Sequence, residues 1–439
     1  MQVLKFGGTS VGKPERMHQV AQLITKDEHS KIVVLSALSG TTNALVSIGE
    51  SLAKSDKEEA KSKIQALREH YATFIEALFS TSEKAQEAQK MIDEHFEFLL
   101  ITLKISFNEA LNRDILAQGE LMSTKLFTLY LEEIGVSAKL LPALEFMRTN
   151  EEEEPDLDLI SEKLKAILAK ENDATIFITQ GYICKNHKGE IDNLQRGGSD
   201  YTASLVGAAI NATEIQIWTD IDGMHNNDPR VVDKTFPIAE LSFDEAAELA
   251  YFGAKILHPA SIWPAQKMGI TVRLLNTMQP EAKGTVISTA TTSDDVKALA
   301  AKDGITAIKI KSSRMLLAYG FLRKVFEIFE KYKTPIDMIT TSEVAVSVTI
   351  DDDTYLNKIL TELEKFGTVE VDKNQTIICV VGNFVAERKG VVNNIFEALT
   401  SIPIRMISYG GSRHNISLLT DEGSKVEALK KLNTHLFDL

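Results

Sequence analysis

The chain has 439 residues, too many for one hydrophobic core, and its 44% apolar and 25% charged content is that of a soluble globular protein of two or three domains. Acidic residues outnumber basic ones by 62 to 48, a formal charge of −14, which argues against nonspecific nucleic-acid binding and makes any important positive group a local one. Cys184 and Cys379 have neither metal-ligand spacing nor a disulfide framework, no signal peptide precedes the first strand, and no apolar run approaches bilayer length, so a cytoplasmic protein with no nucleic-acid or membrane partner is expected.

Residues 3–6 read as a strand, Gly7-Gly8-Thr9-Ser10 as a tight polar loop and residues 14–23 as a helix with Pro14 near its start. Strand, glycine loop and helix in that order suggest a phosphate cradle. The lysine, Lys5, stands before the glycines, so the motif is neither a Walker A loop nor a dinucleotide fingerprint. Residues 31–36 read as a second buried strand, opening into a small-residue loop over 37–43 and then an apolar helix. Loops after parallel strands are where open α/β sheets bind ligands, although turn chemistry and capping explain Ser39 to Asn43 equally well.

Residues 50–113 are helical in pattern, with Ile64, Leu67, Phe74, Leu78, Phe96, Leu99 and Leu103 at helical spacing and a solvated charged face. Glu120 is expected near the start of an apolar helix running to residue 131. An acid suits a helix N-terminus there, or it faces a cleft and pairs with an ammonium group. Residues 136–141 read as a strand, 156–170 as a helix and 175–183 as a central strand, with a hairpin turn at Asn186-His187-Lys188-Gly189.

The densest motif follows: Leu194-Gln195-Arg196-Gly197-Gly198-Ser199-Asp200-Tyr201-Thr202, leading into a helix whose apolar stripe is Ala203, Leu205, Val206, Ala209 and Ile210. Ser199 or Asp200 is expected to cap that helix. The glycines admit a ligand to the backbone, the free N–H groups attract anions, and Arg196 adds a planar fork for a carboxylate or phosphate. A capped helix after a glycine turn accounts for everything here except Arg196. Residues 214–220 read as a strand ending in Thr219 and Asp220, which with the later Arg230 could grip a nucleotide, while Asp222 and Asp228 could equally be turn formers. Ser242 is expected to cap a helix through residue 250, and residues 271–275 to close the domain as a strand. This alternation predicts a three-layer αβα sandwich around a mostly parallel sheet.

Residues 289–295 read as a linker, and after it a repeat begins. The first copy runs through 305–311, 320–332, 335–339 and 344–350; the second through 376–381, 390–399, 403–407 and 415–419. Each is βαββ followed by a helix, the ferredoxin-like α+β layout, and residues 296–301 make an extra strand. The expected domains are 1–292, catalytic; 293–375, the first repeat with its preceding strand; and 376–439, the second repeat.

Seven motifs, in order, resemble aspartate kinase: Lys5-Phe6-Gly7-Gly8-Thr9-Ser10, Thr41-Thr42-Asn43, Gly119-Glu120-Leu121-Met122-Ser123, Arg196-Gly197-Gly198-Ser199-Asp200, Trp218-Thr219-Asp220, Asp228-Pro229-Arg230 and Gly253-Ala254-Lys255-Ile256-Leu257-His258. The repeats resemble the tandem ACT domains of that family's regulatory tail, so the resemblance covers the whole chain and is to the monofunctional form without a fused homoserine dehydrogenase. It implies an amino-acid kinase fold and transfer of a phosphoryl group from ATP, with Mg2+, to the side-chain carboxylate of L-aspartate. The product, 4-phospho-L-aspartate, opens lysine, threonine and methionine biosynthesis. The implied catalytic residues are Lys5, stabilising the transferring phosphoryl, and Asp200, orienting lysines or the metal. Nucleotide binding falls to Lys5, Phe6, Gly7, Gly8, Thr219, Asp220, His225, Arg230, Lys255 and Ile256. Aspartate binding falls to Thr42, Glu120, Arg196, Gly197, Gly198 and Ser199. No residue is assigned as a metal ligand.

The chain departs from the family at His225, where tyrosine is usual, and at Gln195, where glycine is common. Met315, Gly320, Phe321, Asp337, Thr341, Ser342 and Glu343 match the effector-binding stretch of lysine-sensitive relatives. Feedback inhibition by L-lysine is therefore expected, with Asp337 and Glu343 receiving its ammonium groups, although Asp337 and Ser342 also read as turn residues. The resemblance further implies that the extra strand completes the second repeat, that first repeats pair in a homodimer, and that a tetramer can follow. Two other readings compete: a kinase of the same fold acting on glutamate, acetylglutamate or a nucleoside monophosphate, and a catalytically inactive ACT sensor. Glu120 with Arg196 and the double repeat oppose the first; Lys5, Asp200, Arg230 and Lys255 oppose the second.

Overall fold

The computed structural model describes residues 1–439 except 172–173, 195–196, 253–256, 290–294 and 313–318. Its contacts divide the chain into two compact units, Met1–Met224 with Leu257–Thr289, and His225–Ile256 with Ala290–Leu439.

The first unit is an αβα layered unit built on a mostly parallel sheet. Its strands lie in the order Ala138–Leu141, Ile176–Gln180, Lys31–Leu35, Gln2–Phe6, Ile215–Thr219, Val272–Asn276 and Thr285–Ser288. All neighbours are parallel except the last pair, which is antiparallel. Lys31–Leu35 and Ile176–Gln180 are buried at every position, as strands covered on both faces must be, which is why both read as continuous apolar runs. The helices Lys57–Leu78, Ser82–Thr102 and Glu109–Glu133 pack in sequence, burying Ile64, Leu67, Phe74, Phe96 and Leu99 as their spacing predicts.

Four expectations are corrected here. The tight polar loop expected over Gly7 to Ser10 is instead the start of a helical turn, Gly8–Val11, with Gly7 at its N-cap. The helix Gly198–Ile210 is capped by Gly197 at φ 73°, which puts Ser199 and Asp200 inside the first turn and leaves neither as the cap. Glu120 lies in the middle of Glu109–Glu133 rather than at a helix start, so no helix N-terminus accounts for it. The strand Val272–Asn276 does not close the unit, since Thr285–Ser288 returns antiparallel beside it.

The second unit is an antiparallel six-stranded sheet ordered Ile339–Thr341, Ala345–Ile350, Val296–Lys311, Thr368–Gly382, Asn415–Asp421 and Met406–Ser408. Residues 296–301 and 305–311, read as two strands, are one strand that pairs with Thr368–Gly382 along its length, with register shifts around Ile305. Its first half faces Ile377–Gly382 and its second half Thr368–Asp372, so each half completes a different ferredoxin-like repeat. The strands expected at 335–339 and 403–407 begin later, at Ile339 and Met406, because the Pro-Ile segments before them stay outside the ladder. The first repeat's core gathers Ile308, Ile310, Phe321, Val325, Val346 and Ile359; the second's gathers Ile378, Val380, Ile395, Leu418, Leu429 and Leu432. Residues 225–256, assigned with the first 292 residues from sequence, pack in this unit, and Val232 sits in the second repeat's core.

Candidate active site

The site is assembled where neighbouring parallel strands of the first unit end. Lys5 is the fourth residue of Gln2–Phe6 and is only 9% exposed, yet its ammonium lies 2.7 Å from Asp200 Oδ1. Asp200 stands in the first turn of Gly198–Ile210, where the helix dipole favours a negative charge. A Cβ on Gly7 would come within 3.3 Å of Lys5 Nζ, so the absent side chain leaves the ammonium open to the loop. Phe6 is fully buried and stacked on Trp218 at 5.7 Å, so its ring has no surface to offer a nucleotide.

Beside this ion pair is a cleft of about 410 Å³ lined by Gly8, Ser39, Thr42, Glu120, Gly198 and Ser199, among others. Ser199 Oγ accepts a hydrogen bond from Ser36 Oγ at 2.9 Å, tying the helix turn to the end of Lys31–Leu35. The approach is so close that a Cβ on Gly181 would meet Ser199 Oγ at 2.2 Å. Glu120 is 3% exposed; its Oε1 accepts the Ala37 N–H at 3.2 Å, and its Oε2 has no hydrogen-bond partner among the described residues. Burial pushes its carboxyl up to about 8, against the pull of the backbone hydrogen bond from Ala37. Ser123 Oγ donates to the Ser36 carbonyl at 2.9 Å, which fixes the helix against the loop, while Thr124 Oγ1 donates within the helix to the Glu120 carbonyl at 2.8 Å. A half-satisfied buried carboxylate in a polar cleft suits a cationic ligand group.

Tyr182 is a wall of this cleft that the sequence reading missed. It holds φ 66°, in the left-handed region, with its N–H donated to Thr202 Oγ1 at 2.9 Å and its carbonyl accepting the Leu194 N–H. The available signal was a glycine followed by an aromatic just past a buried strand.

The residues expected to hold nucleotide fall in both units. In the first, Thr219 ends Ile215–Thr219, its Oγ1 accepts the Asp220 N–H and its carbonyl accepts the Thr277 N–H at 2.8 Å. In the second, Asp228 grips Arg230 through Nε at 2.9 Å and the guanidinium amine at 2.8 Å, and this bond holds the Asp228 carboxyl below its ordinary range. The rest of the Arg230 side chain is exposed. His225 Nδ1 lies 3.0 Å from Thr235 Oγ1. Arg196, Lys255, Ile256 and Met315 lie outside the described residues.

Of the expected effector residues, Gly320 caps Phe321–Lys331 at φ 79° and Phe321 is buried in the repeat's core. Ser342 Oγ accepts the Ala345 N–H, the turn role, while Thr341 and Glu343 are exposed. The Asp337 side chain is buried and already ion-paired: Lys302 Nζ lies 2.7 Å from its Oδ1 and 2.8 Å from Asp351, and the Tyr251 hydroxyl donates to Asp337 at 3.0 Å.

Residues 1–276 match the Amino acid kinase family, and residues 378–436 match the ACT domain family. Over 448 residues, 99% of each chain, the sequence is 36% identical to lysine-sensitive aspartokinase 3 of Escherichia coli (strain K12). The chain belongs to the aspartokinase family. It is also 37% identical to the chloroplastic aspartokinase 3 of Arabidopsis thaliana, across 99% of this chain and 81% of that one. The crystal structure of E. coli aspartokinase III in complex with aspartate and ADP (R-state) matches this aspartokinase with a TM-score of 0.85 at 35% identity, covering 100% of both chains. The complex of the E. coli enzyme with lysine and aspartate (T-state) matches with a TM-score of 0.82 at 36% identity, covering 100% and 99%. In this aspartokinase, residues 225–256 match the kinase family in sequence but pack in the unit that holds the ACT repeats.

Proposed function

We propose that this aspartokinase transfers the γ-phosphoryl group of ATP to the side-chain carboxylate of L-aspartate, giving 4-phospho-L-aspartate and ADP. The observation that carries the reading is the pairing of Lys5 with Asp200 one residue from Ser199, which lines the same cleft as the buried, half-satisfied Glu120. A carboxylate oxygen of aspartate forms the new O–P bond as the β–γ bridging O–P bond breaks, and ADP leaves with that electron pair. The nucleophile is already an anion, so no general base is needed; the difficulty is bringing two negative reactants together. Positioning and electrostatic stabilisation supply the rate. Lys5 stabilises charge on the transferring phosphoryl, and Asp200 aims Lys5. Glu120 receives the substrate ammonium, Thr42 and Ser199 donate to its carboxylates, and Arg196 clamps one of them.

Gly7 and Gly8 let phosphates approach the backbone, while Thr219, Asp220, His225, Arg230, Lys255 and Ile256 hold the rest of the nucleotide. Among the described residues no group of three or more His, Cys, Asp or Glu side chains is gathered for a metal. Mg2+ would arrive with the phosphates, and Asp200 is the carboxylate that would hold it. When bound, the metal supplies positive charge at the phosphates.

The functional division is residues 1–292 for catalysis, 293–375 for the first ACT repeat and 376–439 for the second. The effector is L-lysine, bound by Met315, Gly320, Phe321, Asp337, Thr341, Ser342 and Glu343, and it acts by favouring an inactive arrangement. The working form is a cytoplasmic homodimer joined through the first repeats, able to associate further to a tetramer. No helix among the described residues is long and apolar enough to cross a membrane. A coupled ADP-release assay tests the proposal. ADP release with aspartate, suppressed by millimolar lysine, is expected; release with glutamate or acetylglutamate but not aspartate would overturn it.

A further inference from the structure

We infer that Asn433, near the end of the C-terminal helix Lys425–Phe437, is a positioning residue for the nucleotide loop that carries His225 and Arg230. The inference rests on the proposed role of that loop. Asn226, Asn227 and Asn433 are 0%, 3% and 2% exposed, an unusual concentration of amides in an interior. Asn433 Oδ1 accepts from Asn226 Nδ2 at 3.1 Å and from Asn227 Nδ2 at 3.2 Å, and Asn433 Nδ2 donates to the Lys234 carbonyl at 3.0 Å. One side chain thus spans both ends of the loop. Asn227 Oδ1 in turn accepts the Asp228 N–H at 2.9 Å, and Asp228 grips the Arg230 guanidinium. The path from the C-terminal helix to Arg230 is an unbroken run of hydrogen bonds.

The loop is bound to the same unit at two more points. The Leu299 N–H donates to the Asn226 carbonyl at 2.7 Å, and Val232 is buried in the second repeat's core. Asn433 lies within the stretch that matches the ACT domain family, whereas the loop lies within the stretch that matches the kinase family. The last helix therefore holds the loop directly, and whatever shifts that helix shifts the loop.

The test compares Asn433→Ala, Asn433→Asp and Arg230→Ala in the full-length protein, measuring KM for ATP, KM for aspartate and thermal melting. Asn433→Ala takes the acceptor from Asn226 Nδ2 and leaves Asn227 Nδ2 only its long bond to the Leu429 carbonyl at 3.4 Å, so the loop must move to satisfy the buried donors, and KM for ATP is expected to rise about tenfold with KM for aspartate unchanged. Asn433→Asp keeps the acceptor for both amides but sets a carboxylate oxygen against the Lys234 carbonyl in a buried position, so a rise in KM for ATP is expected with it as well; it carries the test should Asn433→Ala fail to fold. A rise in KM for ATP with Arg230→Ala, but none with either Asn433 variant, overturns the inference and leaves the proposed function standing. Parallel rises in both KM values also overturn it, since they report general loss of structure. An Arg230→Ala enzyme with unchanged KM for ATP overturns the loop's assigned role, and this inference with it.

Discussion

The Lys5 ammonium and the Asp200 carboxylate meet at 2.7 Å, joining the first strand of the chain to the first turn of the helix Gly198–Ile210. Neither group is well solvated, so the pair is held more firmly than a surface ion pair. Lys5→Ala is expected to lower kcat by 10²-fold or more, about 3 kcal/mol of barrier, if Lys5 stabilises the transferring phosphoryl. Steady-state kinetics with both substrates saturating decide it; near-normal turnover would remove Lys5 from the mechanism.

Glu120 gives a pH signature. Its carboxyl, ordinarily near 4.5, is raised to about 8, so the ligand-free fold holds a proton there that the unfolded chain has lost. That contribution to stability is complete below the lower value and fades as pH rises through the higher one. A substrate ammonium favours the ionised form, so aspartate binding near pH 7 should release a proton, and KM for aspartate should rise as pH falls below about 8. Titration calorimetry in buffers of differing ionisation heat measures the proton count. Glu120→Gln should abolish the release and weaken aspartate binding; an equal release in that variant would place the proton elsewhere.

Gly181 gives a steric one. A methyl group there would meet Ser199 Oγ at 2.2 Å and Cβ at 2.4 Å, with the Ser199 Cα at 2.9 Å behind them. Since backbone must move, Gly181→Ala should cost about 2 kcal/mol or more of stability and displace Ser199. Chemical denaturation measures the first effect, and a raised KM for aspartate the second.

Asp337 should govern regulation. Its carboxylate is buried against Lys302 and Tyr251, so a ligand ammonium must share or displace the Lys302 contact. Asp337→Ala is expected to raise the lysine concentration for half inhibition at least about tenfold, a loss of 1.4 kcal/mol or more. Unchanged inhibition curves would exclude Asp337 from the effector site.

Much of the fold was legible in the sequence because burial writes itself into composition. Lys31–Leu35 and Ile176–Gln180 are covered on both faces and read as apolar runs, and the repeats announced themselves by copying a glycine-started helix and a polar turn. Local chemistry was less reliable at helix ends. The Gly198–Ile210 helix is capped by Gly197 because its φ of 73° suits glycine, and that leaves Ser199 and Asp200 free to face the site.

The sequence by itself offered the residue types of a candidate site: a lysine before two glycines and an acid in an apolar helix. Only the tertiary structure decided that Glu120 is a half-satisfied buried acid in mid-helix, that Tyr182 walls the cleft, and that residues 225–256 pack with the regulatory repeats. The reason is physical. Periodicity records whether a residue is buried, but a buried amide such as Asn433 or a buried carboxylate such as Glu120 takes its meaning from partners distant in sequence, and no local pattern encodes them.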